Sequence, residues 1–200
     1  MTQLLTLDDI ADVRAYERER ESFRDRIIDL KAIRRVHIGT VISVVFENRE
    51  TMRFQIQEMA RVERLVTDEQ IQGELDVYNP LISRAGRLTA TLFLECTTDE
   101  QMREWFPRLV GIERSIELRI GMGPSQSRVR CFPEGAHDAL LTREDMTAAV
   151  HYIHFDVGPE CHASLVSGPA ELAVVHPNYL EVTSLRDSTR QSLADDLTAP

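Results

Sequence analysis

The sequence predicts an α+β protein with a long N-terminal helix, an antiparallel hairpin leading into helices, and two strand–helix–strand units in a mixed sheet. Three observations indicate this fold class. Apolar residues recur at helical spacing near the N-terminus. A β-branched run from Val36 to Glu47 is followed by a segment that alternates apolar and polar residues. The second half of the chain repeats one strand–helix–strand pattern.

The length of 200 residues is sufficient for one domain with a substantial core. One domain over 1–200 is therefore expected. A division into two packed halves stays open, with a helix–hairpin–helix half at 1–80 and a duplicated strand–helix–strand half at 85–200. The composition, 42% hydrophobic and 28% charged, is typical of a folded globular protein rather than a disordered one.

The net charge and the cysteine content limit the expected classes of function and the expected cellular compartment. The formal net charge of −10 disfavours nucleic-acid binding, because neutralising phosphates requires a basic face. Lys31 is the single lysine, so the other basic residues are arginines, reflecting either codon usage or guanidinium recognition of anions. Neither a membrane-spanning apolar run nor a secretory signal is recognisable. Cys96, Cys131 and Cys161 include no CxxC pair, which is typical of a reducing compartment. A cytoplasmic protein without membrane contact is expected.

The N-terminal helix is predicted to begin after Thr6 and to end in the basic residues Lys31, Arg34 and Arg35, which suit the C-terminal end of the helix dipole. Thr6 is a suitable N-cap, and Asp8 and Asp9 place negative charge in the first turn, where the helix dipole favours it. An apolar stripe then follows the spacing of one helix face. Its members are Ile10, Val13, Tyr16, Phe23, Ile27 and Leu30.

The hairpin is predicted from two segments joined by a polar turn. The first, Val36 to Glu47, is rich in β-branched residues and suits a strand buried on both faces. The second, Thr51 to Gln57, alternates apolar and polar residues. Asn48, Arg49 and Glu50 supply the turn between them.

Helices are predicted to follow the hairpin. Met59, Val62 and Val66 have helical spacing, and Thr67 with Gln70 forms a capping box that starts a further helix. The Asn79-Pro80 pair ends that helix, because the residue before a proline is disfavoured in helical conformation.

The second half contains two units of similar length. The strand, helix and strand of the first are predicted at 88–96, 98–106 and 115–120, and those of the second at 150–157, 159–166 and 169–176. A right-handed crossover would make the strands within each unit parallel. A short strand at 128–132, a strand ending at Val182 and a terminal helix from Leu185 to Leu197 complete the prediction.

Motifs with known chemistry are not convincing in this sequence. Glu134 and His137 have the ExxH spacing of di-iron helices, but the motif lies beside proline and glycine and has no second copy. His151 and His154 lie three apart on a predicted strand, hence on opposite faces. Cys161 lies in the first turn of a predicted helix, where a thiol pKa falls, although no third group orients the Cys161–His162 pair. No metal, cofactor or catalytic residue is predicted.

The junction between the hairpin and the following helix is the candidate binding site. Glu58 and Arg61 lie three apart at a helix start, so they share a face and can pair or jointly hold a ligand. A purely structural network, with Arg24 or Arg34 as counter-charge, is the alternative that stays open. The candidate binding residues are Glu47, Asn48, Gln57, Glu58, Arg61 and Glu63.

The same residues resemble a bacterial domain family of unknown function. The resemblance rests on Arg34-Arg35-Val36, Phe46 to Thr51, Gln55 to Met59 with Arg61 and Glu63, Tyr78-Asn79, Ala90-Thr91-Leu92 and His176 to Tyr179. It implies no assigned reaction. It also implies genes that often lie beside those for rubrerythrin-like proteins and for an iron–sulfur protein resembling heterodisulfide reductase subunits. The recurring polar residues of the family map onto the six candidate residues of the junction.

Two classes of function are therefore expected. The first is a non-catalytic accessory or interaction protein of a cytoplasmic redox or oxidative-stress system, whose partner is a rubrerythrin-like or iron–sulfur protein. The alternative is an enzyme, or a small-ligand or metal-binding protein, that uses the Glu58/Arg61 junction. The oligomeric state is open.

Overall fold

The computed structural model describes residues 4–135, 145–158 and 161–198 and confirms the α+β prediction with its long N-terminal helix. The helices in these ranges are α1 Val13–Arg34, α2 Arg49–Glu63, α3 Asp68–Tyr78, α4 Asp99–Arg108, α5 Cys161–Ser167 and α6 Asp187–Thr198. The strands are β1 Arg35–Ile38, β2 Ile42–Glu47, β3 Arg87–Leu94, β4 Ile116–Ile120, β5 Ser127–Arg130, β6 Phe132–Pro133, β7 Val150–Asp156, β8 Ala170–His176 and β9 Tyr179–Ser184.

The long helix begins later than predicted. Thr6 caps a short 3-10 turn at Leu7–Asp9 rather than α1 itself. Ile10 is extended, so the chain leaves the helical conformation before Asp12 caps α1 by accepting a hydrogen bond from the Ala15 amide at 2.9 Å. The predicted stripe then forms the inner face of α1, where Tyr16, Phe23 and Ile27 are buried.

The chain has an antiparallel hairpin, but the predicted pairing of Val36–Glu47 with Thr51–Gln57 was wrong. Strands β1 and β2 pair antiparallel around a turn that contains Gly39, both within the segment taken as one strand. The predicted second strand, Thr51 to Gln57, belongs to α2 instead. Met52 and Ile56 are four residues apart, and this spacing places them on one face of a helix as well as one face of a strand. The alternating pattern therefore did not distinguish the two structures.

The predicted starts of α3 and α4 and the predicted end of α3 are confirmed, whereas α4 extends to Arg108, past its predicted end at 106. Thr67 caps α3 with a reciprocal capping box to Gln70, and the chain turns into a 3-10 segment at Asn79–Leu81. Thr98 caps α4 by accepting from the Gln101 amide. These local hydrogen bonds involve residues only three apart, so sequence spacing is enough to predict them.

The described strands form two antiparallel sheets in place of the predicted mixed sheet. The first has the order β1-β2-β3-β7-β6, and the second the order β5-β4-β8-β9. Each strand–helix–strand unit begins in the first sheet and ends in the second, through α4 or through α5. The predicted parallel pairing was therefore wrong, because the crossover rule applies only when both strands belong to one sheet. The internal repeat itself is present: β3 neighbours β7, and β4 neighbours β8.

Both faces of the first sheet are covered. The inner face packs with the second sheet in one apolar cluster that includes Phe46, Leu92, Leu118 and Leu172. Helices α2 and α3 cover the outer face. Their apolar side chains form a second cluster, and Tyr152 packs against it. Polar side chains on the outer face of β2, β3 and β7 are consequently enclosed between sheet and helices. Within the described ranges, no helix is long and apolar enough to cross a membrane.

Candidate functional site

Glu58 is the centre of a polar cluster between α1 and α2. Its carboxylate accepts four hydrogen bonds: from Tyr16 Oη at 2.7 Å, from Arg20 Nε and Nη2 at 2.8 and 2.9 Å, and from Arg61 Nη2 at 3.2 Å. Each oxygen receives two of them. A carboxylate has about four acceptor positions, so the acceptor capacity of Glu58 is already filled by protein groups.

The electrostatics of this cluster agree with a paired carboxylate. The hydrogen bonds from Arg20 are the main reason why the pKa of Glu58 is lowered from 4.5 to about 2, against the opposing effect of burial. Burial and the hydrogen bond to Glu58 raise the pKa of Tyr16, which therefore remains a donor at neutral pH. The arrangement ties α1 to α2 and resembles a structural clamp.

Arg61 has a secondary position in the clamp. Its Nη2 reaches Glu58, and its Nη1 lies 3.9 Å from Glu17 Oε1, too far for a strong hydrogen bond. The side chain is 30% exposed. The predicted Glu58–Arg61 contact is thus present, but Arg20 is the dominant partner of Glu58.

The side chains of Gln57 and Asn48 form hydrogen bonds with the backbone. The Gln57 side chain accepts from the Ala11 amide at 2.7 Å and donates to the Ala11 carbonyl at 3.1 Å, which fixes the segment before α1. Asn48 is the N-cap of α2, with Oδ1 accepting from the Thr51 amide at 3.0 Å. Its predicted place in a hairpin turn was therefore wrong.

Glu63 lies apart from Glu58. It is exposed at the last position of α2, and its charge contributes to the raised pKa of Glu74, after burial of that group. The structure accordingly does not bring the six candidate residues into one site. Gln57, Glu58 and Arg61 meet at the α1–α2 interface, and the other three lie elsewhere.

Glu47 differs from the others because one of its oxygens has no partner. The residue is 2% exposed at the end of β2. Its Oε1 accepts from Thr91 Oγ1 at 2.6 Å, whereas the buried Oε2 has no hydrogen-bond partner in the described chain. Thr91 lies two positions beyond Thr89, the residue opposite Glu47 in the β2–β3 ladder, and such diagonal neighbours are within reach of a long side chain.

The proposed counter-charge Arg34 serves the backbone rather than Glu58. It is fully buried, and its guanidinium donates to the carbonyls of Phe46 and Glu47 at 2.8 and 3.2 Å. It also pairs with Asp196 of α6, whose pKa is nevertheless raised because burial outweighs that pairing. Arg34 thus joins the end of α1 to β2 and to the C-terminal helix.

The histidines and cysteines do not form a common centre. His151 Nε2 lies 2.7 Å from Thr147 Oγ1, whereas His154 Nδ1 lies 3.3 Å from Glu134 Oε2; His137 lies outside the described residues. Cys131 and Cys161 are buried, and burial raises the pKa of the Cys131 thiol to about 12. Among the described residues, no group of three or more His, Cys, Asp or Glu side chains is placed to hold a metal ion.

The fold and the clamp define an α+β protein with two antiparallel sheets and a helical cover. The chain belongs to the family described as protein of unknown function (DUF3501), whose model matches residues 4–197. It is similar to a crystal structure of a novel protein of unknown function from Burkholderia pseudomallei, with 33% identity and a TM-score of 0.88. That alignment covers 98% of this chain and all of the other. No curated protein matches the chain.

Sequence reasoning missed the partners supplied from distant segments. Arg20 and Tyr16 lie 38 and 42 positions before Glu58. One signal was available: Tyr16 and Arg20 are four apart on α1 and therefore share a face. The residues around Glu47 gave no comparable signal, because they come from three helices and three strands.

Proposed function

We propose that this protein is a non-catalytic interaction protein that docks a partner of a cytoplasmic redox or oxidative-stress system. The observation that carries the proposal is an apolar groove between the segment before α1 and the α2–α3 connection. Its volume is about 250 Å³. Apolar surface gathered in a groove with a polar rim is typical of protein interaction sites.

The groove is open to solvent and lined mainly by aliphatic side chains. Ile10, Leu65 and Ile71 are partly buried along it, with Ala60 buried beside them. Val66 stands at the rim with 80% of its surface exposed. A partner that covers Val66 would remove apolar surface from water without displacing the clamp at Glu58.

Charge at the rim favours a partner segment with basic side chains. Asp12 and Asp68 line the groove, against a single arginine, Arg14. The Asp12 carboxylate is held by its capping hydrogen bond at the start of α1, and Asp68 is the first residue of α3. The formal net charge of −10 adds a long-range attraction for a basic surface. The occupant we propose is therefore an amphipathic segment with apolar and basic residues.

The identity of the partner follows from the resemblance described above. A rubrerythrin-like protein, or an iron–sulfur protein resembling heterodisulfide reductase subunits, is the partner that the resemblance implies. The proposal includes no binding to nucleic acid or membranes. It assigns the protein a docking role and leaves electron transfer to the partner.

Binding between the purified chain and each of these two candidate proteins tests the proposal by titration calorimetry. Val66→Asp should weaken binding at least tenfold, because it places a charge in the apolar groove. Val182→Asp is the matched control: Val182 is 50% exposed on β9 and does not line the groove. Its affinity should equal that of the wild type.

Two outcomes would contradict the proposal. One is equal affinity of wild type and Val66→Asp for a partner that binds. The other is failure of both candidate proteins to bind the folded wild type. Sedimentation of the chain alone tests whether a second copy of the chain occupies the groove. A dimer that Val66→Asp abolishes would make the groove a contact between copies and would overturn the proposed partner.

A further inference from the structure

The outer face of the first sheet carries a second cavity, separate from the groove and from the clamp at Glu58. It has a volume of about 200 Å³ and lies between helices α1 to α3 and strands β2, β3 and β7, partly open to solvent. Its polar lining consists of Lys31, Glu47, Gln55, Tyr78, Thr91 and Tyr152. Four of these, Glu47, Gln55, Tyr78 and Thr91, are also among the residues by which the chain resembles its family.

The strand register explains why these side chains converge. Thr91 pairs with Tyr152, and Phe93 pairs with Val150, so all four lie on the face that points toward the helices. Gln55 comes from α2 and Tyr78 from the end of α3. The cavity is thus lined by elements that are themselves well packed.

The anomaly in this cavity is the carboxylate of Glu47. Its Oε2 is buried and has no hydrogen-bond partner among the described residues. Leaving a buried carboxylate oxygen without a hydrogen-bond partner is costly to stability. Such a cost is typical of a site that is completed by a bound group.

The remaining lining indicates which group completes it. Phe93, Tyr78 and Tyr152 line the same cavity as the carboxylate. The faces of aromatic rings attract cations, and the Arg35 guanidinium already lies 5.2 Å from the centre of the Phe93 ring. Burial raises the pKa of both tyrosines, so their hydroxyls stay protonated at neutral pH and supply neutral polar contacts. Acidic and aromatic groups together favour an organic cation over an anion.

We propose that this cavity binds a small primary amine, with its ammonium group donating a hydrogen bond to Glu47 Oε2 and its apolar part against the aromatic rings. The volume supports a ligand of one ring or a short chain, because a protein cavity of about 150 Å³ accommodates benzene. Lys31 is half-exposed, so its ammonium can turn to solvent and leave the carboxylate to the ligand.

Benzylamine is the probe that tests the proposal, with benzyl alcohol and benzoate as neutral and anionic counterparts. Titration calorimetry on the full chain should show benzylamine binding at least tenfold more tightly than either counterpart. Glu47→Gln keeps the shape of the side chain and removes its charge, so it should weaken benzylamine at least tenfold. Glu113→Gln is the matched control, because Glu113 is also 2% exposed with an unpartnered Oε2 but does not line this cavity.

A second variant keeps the test decisive if Glu47→Gln fails to fold. Val150→Phe adds a ring at a partly exposed position of the lining, and it should abolish benzylamine binding while the protein stays folded. The proposal is overturned if benzylamine does not bind the wild type, binds no better than benzoate, or binds Glu47→Gln as well as wild type. The groove variant Val66→Asp should bind benzylamine normally, which separates this site from the docking proposal.

Discussion

Arg20 of α1 and Glu58 of α2 are joined by two parallel hydrogen bonds, Nε to Oε1 at 2.8 Å and Nη2 to Oε2 at 2.9 Å. Paired contacts of this kind fix the relative orientation of two side chains, because the planar guanidinium matches the carboxylate. The remaining positions on Glu58 are taken by Tyr16 and Arg61. Glu58 is therefore a structural residue of the α1–α2 interface.

The loss of stability caused by substitutions at the clamp should be larger for Arg20 than for Arg61, because Arg20 is the dominant partner of Glu58. Glu58→Gln should lower the free energy of unfolding by about 1–2 kcal/mol, because charge-assisted hydrogen bonds are lost at a site that is partly screened by solvent. Arg61→Ala should cost less than about 1 kcal/mol, since Arg20 and Tyr16 still hold the carboxylate. Arg20→Ala should lower Tm more than Arg61→Ala. Urea unfolding of the variants checks the order, and a larger loss for Arg61→Ala than for Arg20→Ala would contradict it.

Acid should remove the contribution of Glu58. The pKa of Glu58 is about 2 in the folded protein, against an ordinary value of 4.5 for a glutamate side chain. A lowered pKa stabilises the fold above the unfolded value, and this stabilisation is lost as the pH falls through the folded value. The difference in unfolding free energy between wild type and Glu58→Gln should thus be constant above pH 4.5 and shrink toward pH 2. A difference that does not change across this range would contradict the assignment.

Arg34 is predicted to be far more sensitive than other arginines of α1. It is fully buried, and Arg34→Met would leave Asp196 as an unpaired, largely buried carboxylate. Breaking a buried pair in this way costs about 3–5 kcal/mol. Arg24→Met, at an exposed position of the same helix, should change stability by about 0.5 kcal/mol or less. Equal losses for the two variants, measured by denaturant unfolding, would disprove the buried role of Arg34.

The β1–β2 turn should not accept a side chain at Gly39. This glycine has a φ of +68°, and a Cβ there would collide with the hydroxyl of Tyr179. That hydroxyl accepts from the Thr40 amide at 2.8 Å and donates to the Ile38 carbonyl at 3.0 Å, which ties the turn to β9. Gly39→Ala should therefore introduce backbone strain and also disrupt these contacts.

Gly123→Ala is the control for this effect. Gly123 has a similar φ of +66°, but nothing lies within 4 Å of its Cβ position. It should cost only the backbone strain of about 1–2 kcal/mol, and Gly39→Ala should cost clearly more. Thermal unfolding compares the two. Similar Tm values would show that the Tyr179 contact is not important.

Much of the local structure could be predicted because it depends on residues close in sequence. The capping box at Thr67 and the N-cap at Thr98 involve partners three positions away and were correct. The start of α2 was missed because Asn48 suits both a turn and a helix cap. The arrangement of the strands in two sheets depends on which strand each one pairs with after the intervening helix. The periodicity of apolar residues carries no information about this pairing.

In the candidate site, too, contacts between residues close in sequence could be predicted, whereas contacts between distant segments could not. Glu58 and Arg61 share a helix face, so their contact could be predicted from spacing. Arg20 could not be ranked above the other arginines of α1, because its selection depends on the crossing of α1 over α2. The free oxygen of Glu47 could not be predicted at all, since its environment is assembled by the β2–β3–β7 ladder and three helices.

The most direct measurement compares benzylamine affinity and unfolding free energy in Glu47→Gln and Glu58→Gln. We expect Glu58→Gln to be destabilised but to bind benzylamine with wild-type affinity, because its carboxylate is saturated by protein groups. Glu47→Gln should keep or exceed wild-type stability and bind at least tenfold more weakly, because it removes an unpaired buried charge that the ligand uses. The opposite pattern, with binding lost in Glu58→Gln and retained in Glu47→Gln, would contradict the assignment of clamp and cavity.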